Sequence, residues 1–296
     1  MKYAYYPGCS LEKNSAAYDI SVRAVAEILG IELAEIDDWN CCGATEFFSQ
    51  DELVACSVVA RNLALVEDHL RQVVAPCAAC YCNLKKVDQL MAEHPHMNTL
   101  INEALAAGGL RYQPGRLRVR HLLEVIVDDI GEAAVRDKTV RSLEGLRVAP
   151  YYGCQWVRPG ADVDNPEYPM KMDELFKWLG AEVVDYPVKA HCCGGHMTQV
   201  SEAQAFELIR RLLQNAVDYE ADLILCMCPM CQLNLDGYQH RVNHFFGTKF
   251  NVPIVFFTQM LGVAFGLDPA RLGFGKELIP ALPVLQSKLG AAPASA

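Results

Sequence analysis

Ten cysteines fall into two sets of five with matched spacing. The first set is Cys9, then Cys41-Cys42, then Cys77 and Cys80; the second is Cys154, then Cys192-Cys193, then Cys228 and Cys231. In each copy 34 residues separate the tandem pair from the CxxC, and 31 and 37 residues separate the lone cysteine from the pair. Gly8 and Gly153 precede the lone cysteines, while Gly43 and Gly194-Gly195 follow the pairs. A structural zinc site takes four ligands, usually as two CxxC-like knuckles. Five thiols with two adjacent in sequence do not follow that pattern, whereas all-thiolate sites suit iron–sulfur clusters. The spacing leads us to expect a four-cysteine cluster in each copy, with the fifth thiol free or bridging.

The chain's 296 residues give room for two domains, each with its own core. A hydrophobic fraction of 52% with 21% charged residues reads as a soluble globular protein. A net charge of −10 argues against non-specific nucleic-acid binding, and no basic patch with interleaved aromatics is present. The first residues lack the charged, apolar and small-residue succession of a signal peptide. The most apolar stretch, 252–267, is 16 residues long and holds Pro253 and Gln259, which is too short for a transmembrane segment. A cytoplasmic location follows as the expectation. Thirteen cysteines in a reducing compartment point to metal or redox chemistry and away from disulfides.

The elements that must position these thiols alternate between strand and helix. In the first half, strands are expected at 2–7, 31–36, 73–75 and 117–121, and helices at 16–29, 51–69, from about 80 toward 93, and 122–130. Ser49 or Asp51 would cap the second helix. Residues 94–116 break the pattern with Pro and Gly and read as an insert of loops around a short helix at 100–106, and 131–145 reads as a charged linker. The second half repeats the order, with strands at 147–152, 181–184, 223–225 and 252–256 and helices at 170–179, 200–219, from 231, and 258–265. Leu29-Gly30-Ile31-Glu32 matches Leu179-Gly180-Ala181-Glu182, Asn83-Leu84 matches Asn234-Leu235, and every cysteine from the tandem pair onward is offset by 151. The chain is read as a tandem duplication of α/β class: two pseudo-symmetric domains, each a small parallel sheet flanked by helices. Their bounds are 1–140 (insert 94–116) and 146–270, followed by a tail, 271–296, expected to be mobile at its Ala/Pro/Ser end.

Each cysteine group directly follows an expected strand. In a parallel sheet all strand C-termini share one edge, so thiols distant in sequence should meet there. The glycines allow close backbone approach, and the helix N-termini after each CxxC add N–H donors and positive partial charge that favour thiolates.

A lone Cys, then Cys-Cys-Gly, then CxxC, present twice, is the doubled signature of cysteine-rich CCG domains, and the chain resembles the B-type subunit of heterodisulfide reductase. Met1-Lys2-Tyr3-Ala4-Tyr5-Tyr6-Pro7-Gly8-Cys9-Ser10 and Trp39-Asn40-Cys41-Cys42-Gly43-Ala44-Thr45 resemble its bacterial members, and Pro229 within the second CxxC is similar to ferredoxin-type cysteine environments. The resemblance covers nearly the whole chain. It implies Rossmann-like domains and two noncubane [4Fe-4S] clusters, one on Cys9, Cys41, Cys42, Cys77 and Cys80, the other on Cys154, Cys192, Cys193, Cys228 and Cys231. It further implies that a disulfide is reduced, or formed, between clusters facing one another, as with the disulfide of coenzymes M and B in the methanogen enzyme. The implied partners are the small iron–sulfur (C-type) and flavin-carrying (A-type) subunits of such a complex. A disulfide takes two electrons, and two one-electron centres flanking it could each take one departing sulfur.

The remaining candidates are weaker. His191 and His196 flank the second tandem pair and are candidate proton donors to the leaving thiol. Cys56, Cys82 and Cys226 are expected as packing residues. Lys189 and Arg158 could bind an anionic substrate but read as solvated charges, and Phe245-Phe246 as core or a contact with another subunit. Three rivals stand beside the main reading: a lipoyl-protein or sulfane-sulfur substrate in sulfur oxidation, an electron-relay component of a CCG-containing dehydrogenase or quinone reductase, and a zinc scaffold.

Overall fold

The computed structural model describes residues 1–44, 46–158 and 163–290. Its frame is two four-stranded sheets, every pairing in them parallel. The first has the order β2-β1-β3-β4, with β1 at Lys2–Tyr5, β2 at Glu32–Glu35, β3 at Gln72–Ala75 and β4 at Arg118–His121. The second repeats it as β6-β5-β7-β8, with β5 at Arg147–Tyr151, β6 at Glu182–Val183, β7 at Leu223–Cys226 and β8 at Ile254–Phe256. Parallel neighbours require helical crossovers, and the sequence supplies amphipathic ones. Ala16–Ile28 buries Tyr18, Val22, Val25 and Ala26, and Glu202–Asp218 buries Phe206, Ile209, Leu212, Leu213 and Ala216. Asp51 caps Glu52–Ala64 by accepting the Val54 N–H at 3.0 Å, and that helix stops five residues short of the expected His69.

This strand order decides where the chemistry sits. Crossovers from β1 and β3 run to opposite sides of the first sheet, as do those from β5 and β7 in the second. Such a reversal opens a crevice at the carboxyl ends of the central strands. Cys9 and the Cys77/Cys80 pair leave those ends in the first half, and Cys154 and Cys228/Cys231 in the second.

Several connections differ from expectation. The insert helix begins at Pro95 rather than Leu100, because proline at the first helical position loses no hydrogen bond. The helix over 122–130 is one α turn, Leu122–Glu124, followed by a π-helical stretch, Val125–Ile130. The charged linker is in part a helix, Gly131–Lys138, supported by the Glu132–Arg136 pair one turn apart and by buried Val135. The tail is packed over its described part: Leu272, Ala281 and Leu285 are buried, and Asp236 accepts the Leu278 and Ile279 N–H groups. Its last six residues lie outside the described residues.

The two halves share one continuous core. Tyr18 of the first half stacks on Phe256 of the second at 4.1 Å and 4°, while Trp156 of the second meets His121 of the first edge-on at 5.2 Å. Ser21 bonds Thr258 at 2.6 Å, and the Ala78 N–H donates to the Met227 carbonyl at 3.2 Å. Each aromatic pair adds about 1 kcal/mol beyond its buried area.

Candidate functional site: a file of ten sulfurs

All ten motif cysteines come together. In the first half Cys9 lies 3.4 Å from Cys41 and Cys42 lies 3.5 Å from Cys80, sulfur to sulfur. Cys41 lies beside Cys42, and Cys80 beside Cys77. The second half repeats the chain: Cys154 to Cys192, Cys192 to Cys193, Cys193 to Cys231 at 3.5 Å, and Cys231 to Cys228. Cys77 and Cys228 lie beside each other across the junction of the halves. The sulfurs thus form one file. Its ends, Cys9 and Cys41 on one side and Cys154 and Cys192 on the other, reach the surface, and its six central members are buried. Among the described residues no group of three or more His, Cys, Asp or Glu side chains forms a cage for a single ion.

The protonation pattern follows from this crowding. Cys192 is held down at about 2 because the thiols of Cys154 and then Cys193 donate to it, helped by the Gly194 N–H at 3.3 Å. Cys42 is lowered by Cys41 and Cys80, and Cys228 by Cys231 and Cys77. The donors are raised in turn, Cys193 to about 12 by its bond to Cys192. Ten adjacent sulfurs cannot all ionise against their mutual repulsion unless a cationic group compensates them. The donor set, soft sulfur with no carboxylate among it, fits iron–sulfur ligation.

Pairs of residues related by the repeat hold the sulfurs in place. Gly8 and Gly153 both take positive φ, 76° and 67°, and a Cβ there would sit 2.8 Å from the Cys80 sulfur and 3.1 Å from the Cys231 sulfur. Only glycine lets the chain turn this close to the ligands. Tyr6 and Tyr151 donate their hydroxyls to the carbonyls of Asn40 and His191, at 2.7 and 2.8 Å, just before each tandem pair. Asn83 donates to the carbonyls of Cys42 and Ala44, and Asn234 to those of Cys193 and Gly195. Cys77 and Cys228 are the N-cap residues of the helices Ala78–Glu93 and Pro229–Gly237, so Cys80 and Cys231 ride the first turns. The Asn-Leu match between the copies was visible in the sequence, but the asparagines' task in bracing the Cys-Cys turn was not. The tyrosines gave only the signal of recurring two residues before the glycine of each Gly-Cys step.

The surroundings of the two sets differ. The second borders a cavity of about 350 Å³ walled by its five cysteines, by Met197, Val200 and Met230, and by Ala44, Ala78 and Ala79 of the first half. The first borders an open groove of about 440 Å³ with Glu12, Glu35, Asp37 and Asp38 beside Cys9 and Cys41. His196 lines the cavity; His191 does not, and its side chain is exposed. Cys56, Cys82 and Cys226 are buried as packing residues. Arg158 is exposed, as expected.

Lys189 departs from expectation. It is 1% exposed, its Nζ 2.7 Å from Asp173 Oδ1 and 3.9 Å from the centre of the Tyr168 ring. Burial raises the Asp173 carboxyl, with Lys189 and Tyr152 opposing. The Lys189 carbonyl accepts the Tyr152 and Gly153 N–H groups at 2.9 and 3.0 Å, so this lysine braces the approach to Cys154. A charge flanked by Val188 and Ala190 gave no sign in the sequence that its partner lay 16 residues upstream.

The model of the CCG cysteine-rich domain matches residues 3–85 and 148–236. A Wolinella succinogenes protein named 8-methylmenaquinol:fumarate reductase membrane anchor subunit is 32% identical over 95% of this chain and 98% of its own length. The heterodisulfide reductase B-like subunit of Archaeoglobus profundus is 29% identical over 92% of this chain and 93% of its own. The B-type subunit of the ferredoxin:CoB-CoM heterodisulfide reductase of Methanosarcina mazei is 28% identical over 94% of each chain. Among solved structures, a hypothetical protein from Helicobacter pylori matches with a TM-score of 0.75 at 14% identity. That match covers 94% of this chain, which spans about half (52%) of the other, and it speaks to fold alone. Among the described residues no helix is long and apolar enough to cross a membrane.

Proposed function

The chain belongs to the CCG cysteine-rich domain family, and from that premise we propose that it is the iron–sulfur catalytic component of a heterodisulfide reductase-like complex, with a disulfide reduced or formed between two noncubane [4Fe-4S] clusters. Cys9, Cys41, Cys42, Cys77 and Cys80 would hold one cluster and Cys154, Cys192, Cys193, Cys228 and Cys231 the other. The observation that carries the reading is the junction of the two sulfur sets at Cys77 and Cys228, which puts both at one point of the molecule. When bound, the clusters supply one-electron transfer and thiophilic iron.

The chain's own residues do the rest. Gly8 and Gly153 give the sulfurs their close approach, and Asn83 and Asn234 fix the two Cys-Cys turns. The helices Ala78–Glu93 and Pro229–Gly237 present their N-termini to the sulfurs, favouring the negative charge there. Burial of Cys193, Cys228 and Cys231 behind the apolar side chains of the cavity lowers the local dielectric, which strengthens the electrostatic interactions there. His196, on the cavity wall, is the nearer proton donor for a departing thiol, and His191 the alternative. Separate iron–sulfur and flavin subunits, of the C and A types, would deliver electrons. All thirteen cysteines are free of disulfides, which suits a reducing compartment such as the cytoplasm.

Iron and acid-labile sulfide analysis of anaerobically purified protein should give about eight iron atoms per chain. Electron paramagnetic resonance should change at a cluster when a thiol or disulfide is added. About two zinc atoms in place of the iron would sink the reading. A second reading, an electron relay within a quinol-linked reductase, is favoured by the name of the Wolinella succinogenes relative; a cluster signal answering to quinones but not to disulfides would select it.

A further inference from the structure

We infer that Tyr18 is a positioning residue that sets the spacing of the two cluster sites, by holding the carbonyls of Pro76 and Met227 side by side with help from His121; this rests on both sulfur sets carrying clusters. Pro76 and Met227 are related by the repeat and stand immediately before Cys77 and Cys228, the sulfurs that meet at the junction of the halves. The Tyr18 hydroxyl donates to the Pro76 carbonyl at 2.6 Å and lies 3.4 Å from that of Met227, so one oxygen touches both halves just behind their innermost ligands. The Ala78 N–H, 3.2 Å from the Met227 carbonyl, ties the same two loops. These contacts are to backbone rather than to sulfur, so they do not compete with a metal for its ligands.

The surroundings hold Tyr18 to this task. Its ring is fully buried, stacks on Phe256 at 4.1 Å and 4°, and meets Phe257 edge-on at 6.2 Å. One turn along the same helix, Ala16–Ile28, Ser21 bonds Thr258 at 2.6 Å, so this first-half helix is seated in the second half by ring and hydroxyl together. His121 approaches the same pair of carbonyls. Its Nδ1 accepts the Leu123 N–H at 3.0 Å, which leaves the proton on Nε2; that buried N–H makes no hydrogen bond among the described residues. Two donors of the first half thus converge on one carbonyl from each half. Phe256, the counterpart of His121, cannot donate and serves instead as the surface on which Tyr18 stacks. Repulsion between two charged clusters would push the halves apart at this point, and a buried carbonyl that loses its donor there has no water to turn to.

Redox titration of the anaerobically purified, cluster-loaded protein, followed by absorbance with iron and sulfide counted, tests this. Charge on the cluster reduced first opposes reduction of the other, so the two steps stand apart, and their separation shrinks as the sites move apart. Tyr18→Phe keeps the stack on Phe256 and removes only the hydroxyl. It should keep about eight iron atoms per chain and draw the two steps together. His121→Phe should act in the same direction, and His121→Gln, which restores an N–H donor, should reverse it. Tyr112→Phe removes the hydroxyl of another buried tyrosine, bonded to Asp88 at 2.6 Å, and should leave the steps where they are. Unchanged steps in Tyr18→Phe, or an equal shift in Tyr112→Phe, overturns the inference. So does loss of iron from Tyr18→Phe, which would make the hydroxyl a requirement for assembly rather than for spacing. If Tyr18→Phe is not recovered folded, the His121 pair decides alone. Wild-type protein without two iron clusters sinks the cluster reading itself, and the iron count tells that outcome from the others.

Discussion

The two halves carry the same sulfur arrangement on the same strand order, yet they present it to different surroundings. The copied parts are those that touch the sulfurs: Gly8 with Gly153, Tyr6 with Tyr151, Asn83 with Asn234, each pair making the same contact within a few tenths of an ångström. The divergent parts are the walls. Between the CxxC cysteines the first half has Ala78-Ala79 and the second Pro229-Met230, and the alanines open space for the second half's cavity. The first half is left with an acidic groove. Duplication preserved the contacts that fix the sulfur geometry and released the surfaces around it, so the halves are equal in sulfur arrangement and unequal as surfaces.

The largest effects should fall on the shared part and split on the divergent one. Cys42→Ser and Cys193→Ser should each remove one cluster, lowering iron from about eight to about four atoms per chain. Their consequences for ligand binding should differ, because only Cys193 borders the cavity. Electron paramagnetic resonance of the remaining cluster should respond to an added thiol or disulfide in Cys42→Ser and not in Cys193→Ser. Equal responses in both would erase the distinction between the halves.

Next in size is a difference in how each half braces its own loops. Lys189→Met strands Asp173 in a site where both partners are at most 4% exposed, and should cost about 3–5 kcal/mol. The position related by the repeat, Asp38, is 79% exposed and pairs with Arg61 at the surface, so Asp38→Ala should cost no more than about 1 kcal/mol. Denaturant midpoints of the two variants measure this directly. Adding Asp173→Leu to Lys189→Met should recover most of the loss, since the neutral pair leaves no orphan charge; no recovery would point to packing as the cause.

The central strands' outer neighbours give a pH-dependent contrast. His121 pairs with Ala75 in the register that puts Phe256 beside Cys226, so the two are structural counterparts. Burial pushes His121 down to about 3 from the usual 6.5, with the Pro76 and Met227 carbonyls opposing it only in part. Between those values the unfolded chain binds the proton and the folded chain does not. Stability is therefore complete above pH 6.5 and falls as pH drops toward 3, at about 1.4 kcal/mol per unit, of the order of 3 kcal/mol by pH 4. His121→Phe, copying the second half, should flatten this part of the stability–pH curve; an unchanged slope would assign the acid sensitivity to other groups.

Much of this was legible because it is periodic or repeated. All eight strands were evident as short apolar or alternating runs, six of them ahead of a cysteine group, and the parallel order followed from the helices between them. The gathering of the sulfurs followed from that order. What stayed hidden was set by contacts across the fold. The buried state of Lys189 depends on Asp173 and Tyr168, which no local pattern connects to it. The helix Gly131–Lys138 was masked by charge, because only Val135 faces inward. The cavity is invisible in sequence, since Ala44, Ala78 and Ala79 matter through the space they leave.

The smallest test concerns one backbone position. Ala44 and Gly195 are related by the repeat and both adopt a left-handed conformation, with φ of 42° and 51°. In each half the following braces are the same: Asn83 donates to the Ala44 carbonyl and Asn234 to the Gly195 carbonyl, both at 2.8 Å. The first half holds an alanine where its Cβ crowds the carbonyl oxygen, a cost of about 1–2 kcal/mol that glycine avoids. At Gly195 an added Cβ would meet nothing within 4 Å, so Gly195→Ala isolates the backbone cost and should destabilise by about 1 kcal/mol. Ala44→Gly should gain less than that, because glycine also makes the unfolded chain more flexible and returns about 0.4–1 kcal/mol of the benefit. Paired denaturation curves decide it. A neutral Gly195→Ala would mean that the asparagine bond, rather than the residue type, sets this turn in both halves.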